Sequence, residues 1–344
     1  MGIVKVIVNG VTKMDITPTT LDASEANKGE VFFNRSGVQA VGTGDPPSTR
    51  VPVIGMGKNL LDNGYLLNPV NQRGQSSYTA SGYTVDRWLN QRNDTVSLES
   101  NGVRLTYASN ATYHQLAQIV TDVERFYGKT VTFSAILETT ASCYLRIYLG
   151  NGGDIYSSEI PANSSGLFSV TTQVPSTTTA MIVFITSGSS GAATGSFTIK
   201  AAKLELGAEQ TLAHEESGVW VLNEIPDYGE ELRKCQKYLW AMNFGNTYYM
   251  LALGFAGDTT RGDFILYAPA DMYKGVTPSF IGSVPRVYRI TGDSNANASA
   301  VSDVAVFGNI VKLSVTMGSS TRGEGLRMLN TLNSTFGISC EPTV

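Results

Sequence analysis

Asn59-Leu60-Leu61-Asp62-Asn63-Gly64-Tyr65, then Lys203-Leu204-Glu205-Leu206-Gly207, then Tyr228-Gly229-Glu230-Glu231-Leu232-Arg233-Lys234-Cys235-Gln236-Lys237-Tyr238 are the stretches that decide the reading of this chain. Between the first two lie strand-like runs at 103–107, 130–137, 144–149, 167–171, 180–185 and 195–206. Gly, Ser, Asn and Pro clusters separate them at the spacing of a β-sandwich, and no long amphipathic helix competes. The third stretch reads as a short helix over 225–237. Asp227 caps it and Glu230, three residues on, completes a capping box. Leu232, Cys235 and Leu239 fall near one face by helical spacing, and Arg233, Lys234 and Lys237 suit the C-terminal end of the dipole. Beyond it, Tyr238, Trp240, Met242 and Phe244 alternate, as do segments of 248–255, 264–267, 287–290 and 310–315, so the chain returns to β.

At 344 residues the chain has room for two or three domains. Upstream, Ile3 to Val8 and Val11 to Ile16 read as strands around an Asn9-Gly10 hairpin turn. A turn-rich stretch at 20–29 and a short strand pair at 30–33 and 39–43 follow. So small a unit normally needs a partner to bury enough surface. Gly44 to Pro52, with its paired prolines, is a stiff linker by composition. The expected organisation is an N-terminal module (1–44), a linker (45–55), a β-sandwich (56–208), a connector holding the helix (209–237) and a C-terminal β-sandwich (238–344).

Charged residues make up 16% of the chain, 25 basic against 29 acidic, well below the roughly 25% of an ordinary soluble domain. Gly, Ser, Thr and Asn take their place. No Lys/Arg stripe exists for phosphate contact, which argues against nucleic acid. Low charge also favours a neutral, hydroxyl-rich ligand. Three widely spaced cysteines, Cys143, Cys235 and Cys340, fit neither a disulfide framework nor a zinc site, and buried thiols are expected. No run reaches the ~18 apolar residues of a membrane span. The opening residues lack a signal-peptide layout, as expected either of a protein assembled in the bacterial cytoplasm and released by lysis or of a plain cytosolic protein.

Three stretches carry a resemblance. Val8 to Thr17 with Lys28 to Thr43 resembles the N-terminal module of phage tail and tail-fibre proteins, although Ala26-Asn27 stands where a pair of leucines is usual. Asn59 to Gly74, Gly82 to Trp88, Gly128 to Thr132 and Leu204 to Gly207 are similar to the carbohydrate-binding-module-like jelly rolls of prophage tail proteins. Trp220 to Tyr238, before a C-terminal β domain, is the most specific of the three. The resemblance implies a tail adhesin or receptor-binding protein located in the virion tail. Its N-terminus docks on a tail or baseplate protein, its C-terminal domain binds a host surface glycan, and it works as a homotrimer. Multiple copies give weak sites avidity. The resemblance also implies a structural calcium, for which Asp62 and Glu205, flanking the closing segments, are the candidate ligands; no other cofactor is expected.

Catalytic signatures are sparse. His114 and His214 are the two histidines, and no Gly-x-Ser-x-Gly elbow or His-Glu-x-x-His motif appears. Glu215-Glu216 and Glu230-Glu231 are adjacent in sequence and would diverge on a strand or spread on a helix, so no glycosidase pair is indicated. Arg261-Gly262-Asp263 spells an adhesion tripeptide that occurs readily by chance. Sugar binding needs aromatic platforms beside polar groups. Tyr267, Tyr273 and Tyr288 in the C-terminal domain are the first candidates, with Tyr248, Tyr78 and Tyr83 next. Trp88, Trp220 and Trp240 are expected in cores. Leu232, Cys235 and Leu239 are the candidate seam between copies. The reading is thus a non-catalytic glycan-binding adhesin; the alternatives are a tail or baseplate decoration protein without a glycan site and a glycan depolymerase.

Overall fold

The computed structural model describes residues 57–108, 113–188, 194–291 and 294–343, and the strand pairing of four N-terminal segments. Those segments form two antiparallel pairs, Val4–Val8 with Val11–Ile16 and Val31–Phe33 with Gln39–Val41. The turn-rich stretch at 20–29 and the linker at 45–55 lie outside the described residues. The chain divides into two compact units, Met1–Gly57 with Thr211–Glu224, and Lys58–Gln210 with Ile225–Val344. The connector expected at 209–237 is therefore shared between them.

In the first unit, Ala213–Glu216 and Val219–Leu222 form a hairpin. Its turn residues Ser217 and Gly218 have φ of 52° and 81°, the positive values a tight primed turn demands. His214 bridges Asn223 Oδ1 (2.5 Å) and Glu216 Oε1 (2.7 Å). These bonds, Glu216 first, raise its pKa. Trp220, expected in a core, is 36% exposed on this hairpin.

Among its described residues the second unit is all-β apart from one short α-helix and two 3-10 turns. Its first half is a sandwich of two six-stranded antiparallel sheets. One runs in the order Asp154–Tyr156, Tyr144–Tyr148, Met181–Thr186, Gln115–Val120, Leu89–Asn90, Gly82–Tyr83. The other runs Ser165–Gln173, Thr130–Thr139, Gly195–Leu206, Gly102–Tyr107, Thr95–Glu99, Ser77–Tyr78. Trp88, Leu105, Phe133, Leu145, Val183, Phe197 and Leu204 fill the space between them. His114 is sealed in this interior, stacked on Tyr107 at 4.3 Å with Nδ1 2.8 Å from Asp94 Oδ1.

The Asn63-Gly64 step explains why the opening stretch reads so distinctly. Asn63 sits in the left-handed region (φ 57°). Its side chain bonds Val70 N and O and Asp86 O at 2.7–2.9 Å. A Cβ on Gly64 would lie 2.4 Å from Ala202 O, so the loop packs against the closing strand only with glycine there.

The second half pairs a three-stranded sheet (Leu239–Phe244, Ser334–Ser339, Ser279–Gly282) with a six-stranded one. The larger sheet runs Arg286–Arg289, Gly325–Leu329, Met250–Ala256, Arg261–Tyr267, Ile310–Thr316, Ala300–Phe307. Phe264, Leu266, Val287, Leu313, Leu326, Met328, Phe336 and Ile338 form the core between them, with Trp240 packed on it. The Arg-Gly-Asp tripeptide is one strand of this sheet. Asp263 is buried there, accepting from Ser314 Oγ at 2.6 Å with Arg261 Nε 3.3 Å away. It is not displayed as a loop.

The helix is shorter than expected, Tyr228–Cys235, with Asp227 accepting from Glu230 N at 2.9 Å as its cap. It belongs to a polar joint between the two sandwiches. Glu231 Oε2 accepts from Asn63 N at 2.7 Å. Gln72 Nε2 donates to Leu239 O and to Asp86 Oδ2 (2.7 and 2.5 Å), and Asn243 Nδ2 donates to Gln72 O at 2.7 Å. Arg73 pairs with Glu341, and Arg87 lies 3.5 Å from the Tyr238 ring centroid. Leu232, Cys235 and Leu239 are thus not a seam between copies. Cys235 is 0% exposed and Leu239 1%, with Leu232 half-buried. That face is spent inside the chain. Cys143 and Cys340 are also free and buried, and burial raises both thiols to about 11.

Burial at the joint raises the pKa of Asp86 above its usual 3.8 and that of Glu341 above 4.5, although Gln72 and Arg73 respectively pull the other way. A carboxyl whose folded pKa is raised contributes stability that is complete below its unfolded value and is lost as pH climbs through the folded value. The protein is therefore expected to gain stability relative to the Asp86→Asn variant as pH falls from neutrality toward that range. Denaturant midpoints of the pair at stepped pH measure this, and a wild-type advantage that grows with rising pH would contradict it.

Candidate functional site

Along a strand, alternate side chains face opposite ways. On the six-stranded C-terminal sheet one set builds the core and the other faces outward. Arg286, Leu329 and Met250 lie side by side across three strands, and Tyr288, Arg327 and Leu253 form the next row. Tyr267, Ile310 and Phe307 line up across the other three strands. Most of these outward residues, with Phe255 and Ile265, are half or more exposed, Tyr267 reaching 68%. So large an uncovered apolar sheet face marks a binding surface more often than an inert one.

One corner of this face has built geometry. Arg286 Nη1 donates to Tyr248 Oη at 2.6 Å and approaches Tyr288 Oη at 3.5 Å. The Arg286 guanidinium carbon is 5.1 Å from the Tyr248 ring centroid, and that of Arg327 is 5.6 Å from the Tyr288 ring centroid. Cations over aromatic faces hold both partners in place. The result is two tyrosine rings held by guanidinium groups, Tyr288 on the sheet and Tyr248 in the segment that leads into Met250–Ala256, with Tyr248 45% exposed. Stacking surface for the apolar face of a sugar and donors for its hydroxyls lie together.

The other sequence candidates are distributed unevenly. Tyr78 is not a platform: it is only 7% exposed, its hydroxyl bonds Asn71, and burial raises its pKa to about 12. Tyr83 is likewise committed to the joint. Its hydroxyl donates to Pro342 O at 2.5 Å, Arg73 lies 5.6 Å from its ring centroid, and burial raises its pKa further still. The Tyr273 ring lies tilted against that of Tyr238 at 5.3 Å and lines a cleft of about 510 Å³ with Lys274, Thr277, Pro278 and Val306. It stands apart from the outward rows of the sheet. Asp62 Oδ2 accepts from Arg87 Nε at 3.1 Å, and Glu205 lies 3.3 Å from Lys203 Nζ. Both expected calcium ligands are thus matched by cations. Among the described residues no group of three or more His, Cys, Asp or Glu could hold a metal ion.

Arg286 and Arg327 were not singled out from sequence. The period-two string Arg286-Val287-Tyr288 carried the signal: a buried Val between two outward polar side chains.

No protein-family model matches the chain, and no curated protein matches it. Among solved structures, the N-terminal CBM22-1–CBM22-2 tandem domain of Paenibacillus barcinonensis Xyn10C is similar at 10% identity, with a TM-score of 0.29 over 84% of this chain and 98% of that one. An exo-β-agarase is similar at 10% identity and a TM-score of 0.27, over 44% of this chain and 26% of its own. A chain of Sulfolobus Turreted Icosahedral Virus is similar at 13% identity and a TM-score of 0.21, over 71% and 59%. This chain thus spans only about a quarter of the agarase. Likenesses this distant identify neither a ligand nor an activity.

Proposed function

We propose that this chain is a non-catalytic glycan-binding adhesin of a phage tail, and that it grips a bacterial surface glycan with the outward face of its C-terminal sheet. The observation that carries the reading is the Tyr248–Arg286–Tyr288–Arg327 corner, where the exposed ring of Tyr248 and the half-buried ring of Tyr288 are held beside hydrogen-bond donors. Binding rather than cutting fits the placement of His114, which is 0% exposed and therefore out of a substrate's reach. The tail location, docking through the N-terminus and assembly as three copies rest on the sequence resemblance. Three copies on one particle would turn weak single sites into firm attachment.

Arrayed bacterial polysaccharides probed with the full chain test the glycan reading. Each ring is worth about 0.5–1.5 kcal/mol if sugar stacking resembles aromatic pairing. The Tyr248→Ala/Tyr288→Ala double variant is therefore expected to bind about tenfold more weakly, with an unchanged circular dichroism spectrum. Equal binding by the variant would move the site elsewhere; absence of any glycan signal would end the reading. Native mass measurement tests the trimer, and labelled particles in the electron microscope test the tail location.

A further inference from the structure

Arg286 and Tyr288 occupy one edge strand of the six-stranded C-terminal sheet, and Ala300–Phe307 is the opposite edge. Six strands span about 24 Å, so the far half of the outward face lies well away from the tyrosine–arginine corner. On that half Tyr267, Ile310 and Phe307 form one row across the strands. Ile265, Lys312 and Ala305 form the next, and Phe255, Asp263, Ser314 and Asp303 the third. Residues directly opposite in register point to the same side of a sheet, so the three rows share one face.

Leu253, Phe255, Ile265, Tyr267, Phe307 and Ile310 are 38–68% exposed. At about 200 Å² for a large apolar side chain, these fractions leave on the order of 700 Å² of apolar surface in water. The largest apolar patch of a typical monomer is about 300–600 Å². One side of a standard protein interface covers about 800 Å², of which about 500 Å² is apolar. The face thus carries as much apolar surface as a stable association needs on each side. Its cations are matched from within. Lys312 Nζ lies 4.0 Å from Asp263 Oδ1, and Arg261 Nε lies 3.3 Å from Asp263 Oδ2 and 3.9 Å from Asp258 Oδ2. Neither cation calls for an acidic partner. A surface that offers the same apolar rows without an unmatched cation is this face itself, and two sheet faces pack by interdigitating their side chains. The helix face of Leu232, Cys235 and Leu239 is spent inside the chain, so it leaves the meeting of copies to another surface. Resting on the multi-copy part of the reading above and not on its glycan part, we propose that neighbouring copies of this chain meet through this half of the sheet. The rows of Ile265 and Tyr267 pack between copies, and the Tyr248–Arg286 corner stays open at the other edge.

The test uses the full chain. Native mass measurement is expected to show an oligomer, and hydroxyl-radical footprinting reads which tyrosines it shields. In a single copy Tyr267, 68% exposed, would label faster than Tyr248 at 45%; the seam reverses that order. The Ile265→Glu/Phe307→Glu double variant places charges on exposed positions, so circular dichroism should be unchanged. It is expected to raise the concentration for half-dissociation by about a hundredfold or more, since two large side chains lose their apolar burial. Tyr267 should then label freely. Loss of that shielding supports the seam even where a contact elsewhere still holds the copies together. An oligomeric wild type in which Tyr267 labels faster than Tyr248 overturns the seam and leaves the multi-copy reading standing. So does a double variant that keeps both the mass and the shielding. A wild type that stays monomeric at every concentration ends both, while glycan binding is judged on the array.

Discussion

Replacing Arg87 by alanine is expected to destabilise the protein by about 3–5 kcal/mol, the usual cost of removing one partner from a buried ion pair. Arg87 is 2% exposed in the interior of the second unit. Its Nε donates to Asp62 Oδ2 at 3.1 Å and its Nη2 to Ile119 O at 2.8 Å. Its face lies 3.5 Å from the Tyr238 ring centroid. Burial opposes the charge, but Asp62 and then Tyr238 outweigh it, so the guanidinium stays firmly protonated. Alanine would leave Asp62 without its cation, Ile119 O without its donor and a void under Tyr238. Lysine keeps the charge but not the planar fork, so it should recover only part of the loss. Denaturant unfolding measures this. A loss under about 1 kcal/mol would mean the pair is worth no more than a surface one.

Phe336→Ala should cost a similar amount, about 3–5 kcal/mol for a large aromatic side chain truncated in a close-packed core. Phe336 is 2% exposed. Its ring meets Phe280 edge-on at 5.5 Å and Trp240 at 6.4 Å. It therefore ties two strands of the small sheet to the core that the large sheet covers. The joint makes the expected readout more specific. Lys58–Gln210 and Ile225–Val344 form one compact unit, so loss of packing at Phe336 should lower a single unfolding transition. Amide exchange in Gly102–Tyr107, in the other sandwich, should accelerate together with that in Ser334–Ser339. Exchange that changes in the second strand alone would show that the joint does not couple the two halves.

Much of the architecture was legible because its causes are local. The strands at 103–107, 130–137, 144–149 and 195–206 lie within one or two residues of their observed limits. Period-two apolar runs and Gly/Asn turns act over a few neighbours, and a reader of the chain sees the same neighbours. Gln115–Val120 was harder. Gln115 and Gln118 break the apolar pattern, yet both are buried. Gln118 exchanges hydrogen bonds with the backbone of Asp62 at 2.8 and 2.9 Å, a partner 56 positions away. The helix was recognised from its Asp227 cap and then assigned the wrong neighbour. Its apolar face points into this chain, not into a second copy.

By itself the sequence determined the β class of this protein, the helix between its two sandwiches, its buried thiols and the tyrosines worth considering, since alternation, capping and composition act at short range. Which tyrosines are free and which are walled in was decided only by the tertiary structure. Tyr83 meets Pro342, and Asn63 meets Glu231, across separations of 259 and 168 residues, and Arg286 reaches Tyr248 across 38. Exposure and charge pairing are properties of the packed chain, set by contacts that no local pattern encodes.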